Sequence, residues 1–201
     1  MTNIATGNRA RQNRRILISG ASVAGPSLAW WLARHGFRPT VVERAPQLRG
    51  GGYAVDFRGA AHLSVLAKMG ILDRIRERQT HLSATTYVDA DGRPVASMPA
   101  GIFAGDVEIL RGDLGRILYE ATRDSTEYLF GDSITGLYQD AGGVHVTFRR
   151  AAPQTFDLVM LLAGAGAVPF LVDGNVTSSQ RWTEITRAFE GSFFAYAIWF
   201  N

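Results

Sequence analysis

The amino-acid sequence predicts an α/β fold, and three observations lead to this class. Near its start the chain has a short apolar β-branched run, a glycine turn, an amphipathic stretch and a second β-branched run, which is the order of a βαβ unit. Further along, pairs of apolar runs meet at Asp-Gly and Gly-Gly turns, which is typical of antiparallel hairpins. The 201 residues are 46% hydrophobic and 10% aromatic, enough to form a sizeable buried core.

The βαβ unit occupies the first part of the chain. Residues 16–19 predict a buried strand that ends at Gly20. Apolar residues at helical spacing predict a helix over residues 23–36, opened by a proline in its first turn and closed by a glycine. Residues 40–42 predict a second buried strand, which ends at Glu43.

The rest of the chain alternates helices with paired strands. Gly70 interrupts the first helical stretch, and Asp91-Gly92 marks the first hairpin turn. The predicted elements are helices over 59–78 and 113–123, hairpins over 85–98 and 134–148, and strands over 107–110, 127–130 and 156–162.

The charge pattern gives no support for a nucleic-acid partner. The chain has 21 Lys+Arg and 18 Asp+Glu, for a net charge of +3, and its pI is about 9.6. Four of the basic residues lie in the first 15 positions with no acid among them, so the remainder holds 17 basic and 18 acidic groups. We therefore expect a disordered basic tail over residues 1–13 in front of a nearly neutral body, and no nucleic acid among the partners.

Other classes are disfavoured by what the sequence lacks. It contains no Cys, which excludes disulfides and thiolate metal sites, and its four His stand at unrelated spacings that predict no metal centre. The apolar stretch after Arg14-Arg15 is too short for an export signal, and no stretch reaches the roughly 18 residues that span a bilayer. We expect a cytoplasmic protein without a membrane partner.

One motif points to chemistry. The first predicted strand leads into a G-x-S-x-x-G version of the dinucleotide-binding fingerprint, and Glu43 ends the second strand 18 positions after the last glycine. The first glycine permits a tight turn, the last lets the helix pack close to the strand, and the helix N-terminus can bind a diphosphate. The candidate binding residues are Gly20, Ser22, Val23, Ala24, Gly25 and Glu43.

The middle glycine of the fingerprint is replaced by Ser22, which is still small and can donate a hydroxyl hydrogen bond. A carboxylate at position 43 suits the hydroxyls of an adenosine ribose and disfavours a 2′-phosphate, so FAD or NAD is predicted rather than NADP. The alternative is an ordinary glycine-rich turn between strand and helix, with Glu43 on the surface.

Four segments together resemble a known family: 20–36, 41–46, 51–59 and 108–114. In order and content they are similar to the N-terminal half of single-component FAD-dependent aromatic monooxygenases, which have the para-hydroxybenzoate hydroxylase fold. The resemblance covers about residues 14–160 and favours the branch that acts on polyketide and tetracycline-like substrates. It implies a Rossmann-like FAD-binding domain with an inserted antiparallel sheet, truncated relative to the family.

The resemblance also implies roles for particular residues. Arg44 would lie near the adenosine of FAD, and Arg111 would reach the flavin side of the cofactor. Residues 52–58 would pass close to the ribityl chain and the ring, and the stretch from Asp132 to Ile134 would lie beside the adenine. Without the resemblance, Arg111 could equally be a surface residue paired with an acid in its own segment.

The implied activity is an oxygenation. In this family NADH or NADPH transiently reduces FAD, and one atom of O2 is then inserted into an activated aromatic ring. The substrate would be a small aromatic or polyketide compound, as in antibiotic biosynthesis. No catalytic side chain is identified, because the flavin carries the chemistry.

The sequence departs from the family in two places. After residues 156–159 the family has a Gly-Ala-Asp-Gly segment followed by Ser and Arg, whereas residues 160–170 here are mostly apolar. The chain is also much shorter than the family, and it ends on an apolar, strand-like run over residues 192–201. We expect that run to pair with a second copy of the chain, giving a dimer or larger homo-oligomer.

The domain expectation is therefore a single FAD-binding domain over residues 14–201, with partial substrate-sheet insertions at about 80–110 and 193–201. Two alternatives to an oxidoreductase stay open. One is a non-catalytic nucleotide- or ligand-binding descendant that acts through a partner or an oligomer. The other is a fragment of an NAD-binding dehydrogenase.

Overall fold

The computed structural model describes residues 13–81, 84–99, 105–161 and 170–172. The chain divides into two compact units, the first formed by Met1–Gln47 with Thr122–Asn201 and the second by Leu48–Ala121. Apart from Asn13, the predicted basic tail lies outside the described residues, as does the predicted pairing segment at 192–201. No helix among the described residues is long and apolar enough to cross a membrane.

In chain order the described elements are β1 (Arg15–Ser19), α1 (Ala24–Arg34), β2 (Arg38–Glu43), β3 (Ala54–Phe57), α2 (Gly59–Lys68), α3 (Leu72–Arg76), β4 (Thr85–Val88), β5 (Pro94–Met98), β6 (Val107–Leu110), α4 (Arg111–Glu120), β7 (Glu127–Phe130), β8 (Ile134–Asp140), β9 (Gly143–Phe148), β10 (Gln154–Phe156), β11 (Leu158–Leu161) and β12 (Phe170–Val172).

The first unit is built around a five-stranded sheet with the order β12-β11-β1-β2-β7. The strands β11, β1, β2 and β7 run parallel, and β12 is antiparallel to β11. The central strand β1 is buried, with Leu17 and Ile18 fully excluded from solvent, as its unbroken apolar run predicts. Helix α1 contributes small buried residues, Gly25, Pro26 and Ala29, so it can pack closely.

A three-stranded antiparallel sheet, β10-β9-β8, completes the first unit. Its inward-facing residues join those of the parallel sheet in one apolar core, as alternation along β9 predicts. The buried members of that core are Leu17, Val42, Val144, Val146, Phe148, Phe156 and Val159.

The predicted strand over 156–162 is wrong in one respect, because it is two strands in two different sheets. The chain leaves β10 and enters β11 at Asp157, whose carboxylate Oδ2 accepts a hydrogen bond of 2.6 Å from the backbone N–H of Arg15. The backbone N–H of Asp157 donates in return to the Arg15 carbonyl at 2.9 Å. These two hydrogen bonds fix the point at which the chain crosses from one sheet to the other. The residues on both sides of Asp157 are apolar, so the hydrophobic pattern does not reveal the break.

The second unit contains two antiparallel two-stranded sheets, β3-β6 and β4-β5, and the helices α2, α3 and α4. The predicted break at Gly70 is confirmed, since α2 ends at Lys68 and Gly70 has a φ of 69°. The predicted hairpin over 85–98 is also confirmed as β4 and β5.

Helix α4 begins at Arg111, two residues before the predicted start. Its first two backbone N–H groups find acceptors outside the helix: Arg111 N donates to the Tyr53 carbonyl at 3.0 Å and Gly112 N to the Gly51 carbonyl at 2.9 Å. Because these carbonyls come from a distant loop, local sequence does not reveal them.

Replacing Phe156 by alanine should lower the free energy of unfolding by about 3–5 kcal/mol. Phe156 is 1% exposed, and its ring meets Phe148 edge-on at 6.4 Å. Urea unfolding followed by circular dichroism measures the change. Tyr138→Ala, on the same sheet but 67% exposed, is the control and should cost less than about 1 kcal/mol. Equal effects of the two substitutions would contradict the assigned core.

Candidate functional site

The candidate site lies at one edge of the parallel sheet, where β1, β2 and β7 end. Gly20 N donates to the Val42 carbonyl at 2.8 Å, and Gly131 N donates to the Ala45 carbonyl at 2.8 Å. The segments that follow the three strands are therefore tied together at the same edge. In open parallel sheets, ligands bind outside the carboxyl ends of the strands.

The glycine turn after β1 brings α1 very close to the strand. Gly20 has a φ of 107°, in the region that favours glycine. A Cβ placed on Gly25 would lie 1.9 Å from the Gly20 carbonyl oxygen and 3.6 Å from Cγ2 of Ile18. Position 25 therefore has no room for any side chain, and the fingerprint's last glycine has the packing function that its spacing predicts.

The start of α1 suits an anion. The helix begins at Ala24, with Val23 as its cap residue, without a side-chain cap hydrogen bond and without an acidic residue in its first turn. The partial positive charge of the helix N-terminus is therefore not offset by a neighbouring carboxylate of that turn. Ser22 and Ala24 are both exposed beside it. These features fit the diphosphate of a dinucleotide.

Glu43 lies beside the glycine turn, as the sequence spacing predicts. Its Oε2 accepts a hydrogen bond of 2.9 Å from the backbone N–H of Ala21, and its Oε1 accepts one of 2.8 Å from Ala45. The half-buried carboxylate is thus held by main-chain donors on both sides. Arg44 follows it and is exposed.

Asp132 is buried after β7, and its carboxylate is occupied by the backbone. Oδ1 accepts hydrogen bonds from Ser133 N at 2.7 Å and Arg150 N at 3.0 Å, and Oδ2 accepts one from Ala151 N at 2.8 Å. Burial opposes ionisation, but the N–H groups of Ala151, Ser133 and Arg150 outweigh it and lower the pKa of Asp132. Asp132 therefore has a structural role. The sequence did not indicate that role, because only a position beside the adenine was expected of this residue.

Of two other residues at this edge, Ile134 was predicted from the sequence as part of the site and Arg150 was not. Ile134, assigned to the adenine side, is half-buried at the start of β8 and packs against the apolar core. Arg150 was not predicted, yet its Nη1 lies 3.2 Å from the position that a Cβ of Gly131 would occupy. No motif contains Arg150, and it comes to the edge only through the fold of the antiparallel sheet.

The second unit contains the glycine-rich loop and Arg111. A Cβ on Gly52, whose φ is 100°, would lie 3.1 Å from Nε of Arg111, and one on Gly112 would lie 2.5 Å from the backbone nitrogen of Gly51. The guanidinium carbon of Arg111 is 5.5 Å from the centre of the Tyr53 ring, which is 70% exposed. These two glycines, Gly52 and Gly112, therefore let the loop lie directly on the first turn of α4, with Arg111 against it.

The structure gives partners for the acidic residues in the segments around Arg111 and Arg58. Asp113 forms an ion pair with Arg78 at 4.0 Å, and Glu108 accepts a hydrogen bond from the Thr80 hydroxyl. Asp56 and Arg58 form a local ion pair, with Nη2 and Oδ2 3.2 Å apart. Among the described residues, no group of three His, Asp or Glu side chains is arranged to hold a metal ion.

Comparison with protein families decides what kind of domain this is. The sequence model of the FAD binding domain family matches residues 13–159. The chain belongs to this FAD-binding domain family. The resemblance and the Rossmann-like α/β fold class predicted from the sequence are confirmed.

Individual proteins and a solved structure also match this chain. An uncharacterized protein of Mycobacterium tuberculosis is 48% identical over 153 residues, covering 73% of this chain and 41% of the relative. A flavin-dependent monooxygenase of Legionella longbeachae is 38% identical over 157 residues, covering 76% and 40%. The crystal structure of the tetracycline destructase Tet(51) superposes with a TM-score of 0.68 at 37% identity, covering 77% of this chain and 39% of that one. The chain thus spans about two fifths of the length of these relatives.

Gly25→Ala should destabilise the protein by about 3 kcal/mol or more, because the new methyl group would overlap the Gly20 carbonyl. The same change at an exposed helical glycine normally stabilises by about 1 kcal/mol, so the sign is diagnostic. Thermal unfolding measures the effect. The control is Gly50→Ala. An added Cβ there would have no atom within 4 Å other than those of its chain neighbours, and the φ of Gly50 is outside the left-handed region. A neutral Gly25→Ala would disprove the close approach.

Asp132→Asn should cost about 2 kcal/mol at pH 7, because an amide NH2 would face backbone donors. The pKa of Asp132 is lowered, so its contribution is complete above the ordinary carboxyl pKa of about 4 and is lost as pH falls through the folded-state value. Urea unfolding between pH 7 and pH 3 should show the two proteins converging in acid. Asp124→Asn, at a side chain 94% exposed, should show no such dependence. A pH-independent difference would contradict this assignment.

Proposed function

We propose that this chain binds FAD at the carboxyl edge of its parallel sheet and provides the cofactor-binding part of a flavin-dependent monooxygenase. The observation that supports this most directly is the Glu43 carboxylate, held 2.9 Å from the N–H of Ala21 beside the glycine turn. Turn, helix N-terminus and carboxylate form one continuous edge of the first unit. Relatives at 35–39% identity carry the name flavin- or FAD-dependent monooxygenase.

The residues divide the work of binding by their chemistry. The turn from Gly20 to Gly25 and the start of α1 would receive the diphosphate, because that is where the helix offers donors and partial positive charge. Glu43 would accept hydrogen bonds from the ribose hydroxyls, and its charge would disfavour a 2′-phosphate there. Arg111, in the second unit, would contact the flavin side as the family resemblance implies.

The chemistry that FAD would supply when bound is two-electron redox chemistry: NADH or NADPH would be the reductant and O2 the oxidant, with one oxygen atom entering the substrate and the other leaving as water. The likeness to the tetracycline destructase Tet(51) favours a polycyclic, tetracycline-like substrate. A cytoplasmic location would give access to both nicotinamide reductants.

A second candidate is a nucleotide-binding protein without catalysis of its own, working through a partner or a second copy. The apolar residues after β11, where the family has Asp, Ser and Arg, favour it. The absorbance spectrum separates the two. Bound flavin that NADH or NADPH bleaches supports the monooxygenase, and bound flavin that neither bleaches supports the second candidate. Protein that cannot be reconstituted with FAD refutes the monooxygenase proposal.

Glu43→Gln should weaken FAD binding about tenfold. Both carboxylate oxygens of Glu43 already accept a backbone hydrogen bond, and the amide of glutamine has only one acceptor oxygen for those donors and the ribose together. Quenching of flavin fluorescence on titration measures the affinity. The control is Glu127→Gln: Glu127 begins β7 at the opposite edge of the same sheet, where it accepts from the Thr40 hydroxyl at 3.1 Å. If both variants lose affinity equally, the carboxyl edge is not the site.

A further inference from the structure

The chemical groups along the carboxyl edge follow the order of an adenosine diphosphate. The anion-binding turn follows β1, the carboxylate of Glu43 ends β2, and Gly131 follows β7. Neighbouring strands lie about 4.8 Å apart, so each step along the edge is of the size of one sugar or one base. Diphosphate at the first strand and ribose at the second place the adenine at the end of β7.

The carboxylate of Asp132 is poorly suited to meet that adenine. It already accepts three backbone hydrogen bonds, from Ser133, Arg150 and Ala151, out of about four acceptor positions. It is also 5% exposed. Asp132 instead holds the segment after β9 against the end of β7. In that segment the backbone N–H of Arg150 donates a hydrogen bond of 3.0 Å to Oδ1 of Asp132.

The side chain of Arg150 lies at the end of β7. Nη1 is 3.2 Å from where a Cβ of Gly131 would stand, and the same position is 3.7 Å from Cα of Pro46, the second residue after Arg44. Gly131 has a φ of 70° and no side chain, so the guanidinium can lie on its backbone. Arg150 is exposed, so its planar group is accessible to a ligand at this edge.

We propose that Arg150 is an adenine-binding residue whose guanidinium stacks on the base, and that Asp132 is the positioning residue that holds it there. The inference rests on the proposed FAD site and adds a contact to it. A guanidinium is flat, always charged and weakly hydrated, and it stacks on aromatic faces, whereas an ammonium does so poorly. Stacking of this kind requires no hydrogen-bond pattern, so it needs no sequence motif around position 150.

The test is binding of FAD and of ADP to the full chain, measured by flavin fluorescence and by titration calorimetry. Arg150→Ala should weaken both ligands about tenfold and by the same factor, because both contain the adenine. Its thermal unfolding should match that of the unsubstituted chain, since the bond to Asp132 comes from the backbone. Arg150→Lys should weaken binding nearly as much, and Arg149→Ala, at the adjacent exposed arginine, should leave it unchanged.

The outcomes are separable. If the unsubstituted chain binds neither FAD nor ADP, the proposed function fails and this inference fails with it. If it binds both and Arg150→Ala binds equally well, the function stands and the role of Arg150 is refuted. Full affinity in Arg150→Lys refutes stacking, and an equal loss in Arg149→Ala refutes a specific contact in favour of general positive charge.

Discussion

The contact between α1 and the turn after β1 is the constraint on which the candidate site depends. Because Gly25 has no side chain, its Cα can approach the Gly20 carbonyl, and the helix N-terminus then faces the edge where the parallel strands end. Glu43 reaches the same turn through the Ala21 N–H. If the helix were displaced by the width of a methyl group, the donors at its start and this carboxylate would no longer share one edge.

A second constraint, in the same unit, joins the two sheets. Asp132 links the end of β7 to the segment after β9 through backbone N–H groups, and Asp157 links the crossing from β10 to β11 with the start of β1. Both use a carboxylate to accept hydrogen bonds from main-chain donors where regular strand pairing stops. The binding edge is therefore supported from the antiparallel sheet as well as from the helix.

The parts of this structure that local sequence encodes were predictable. The βαβ unit and the position of Glu43 follow from apolar runs, glycines and one spacing, all within about 30 residues. The break at Asp157 was not, because apolar residues flank it on both sides. The start of α4 at Arg111 depends on carbonyls of Gly51 and Tyr53, far away in sequence. Arg150 reaches the edge only once β8 and β9 have paired.

The same reasoning bears on the choice of nucleotide. A carboxylate at the end of β2 disfavours a 2′-phosphate near the ribose, and an arginine at the end of β7 favours a flat, electron-rich base. NADPH has that phosphate on its adenosine ribose, so this edge suits FAD better than it suits a phosphorylated reductant. The proposed FAD site would therefore not compete with NADPH for its adenosine, whereas NADH, which lacks that phosphate, is not excluded by the carboxylate.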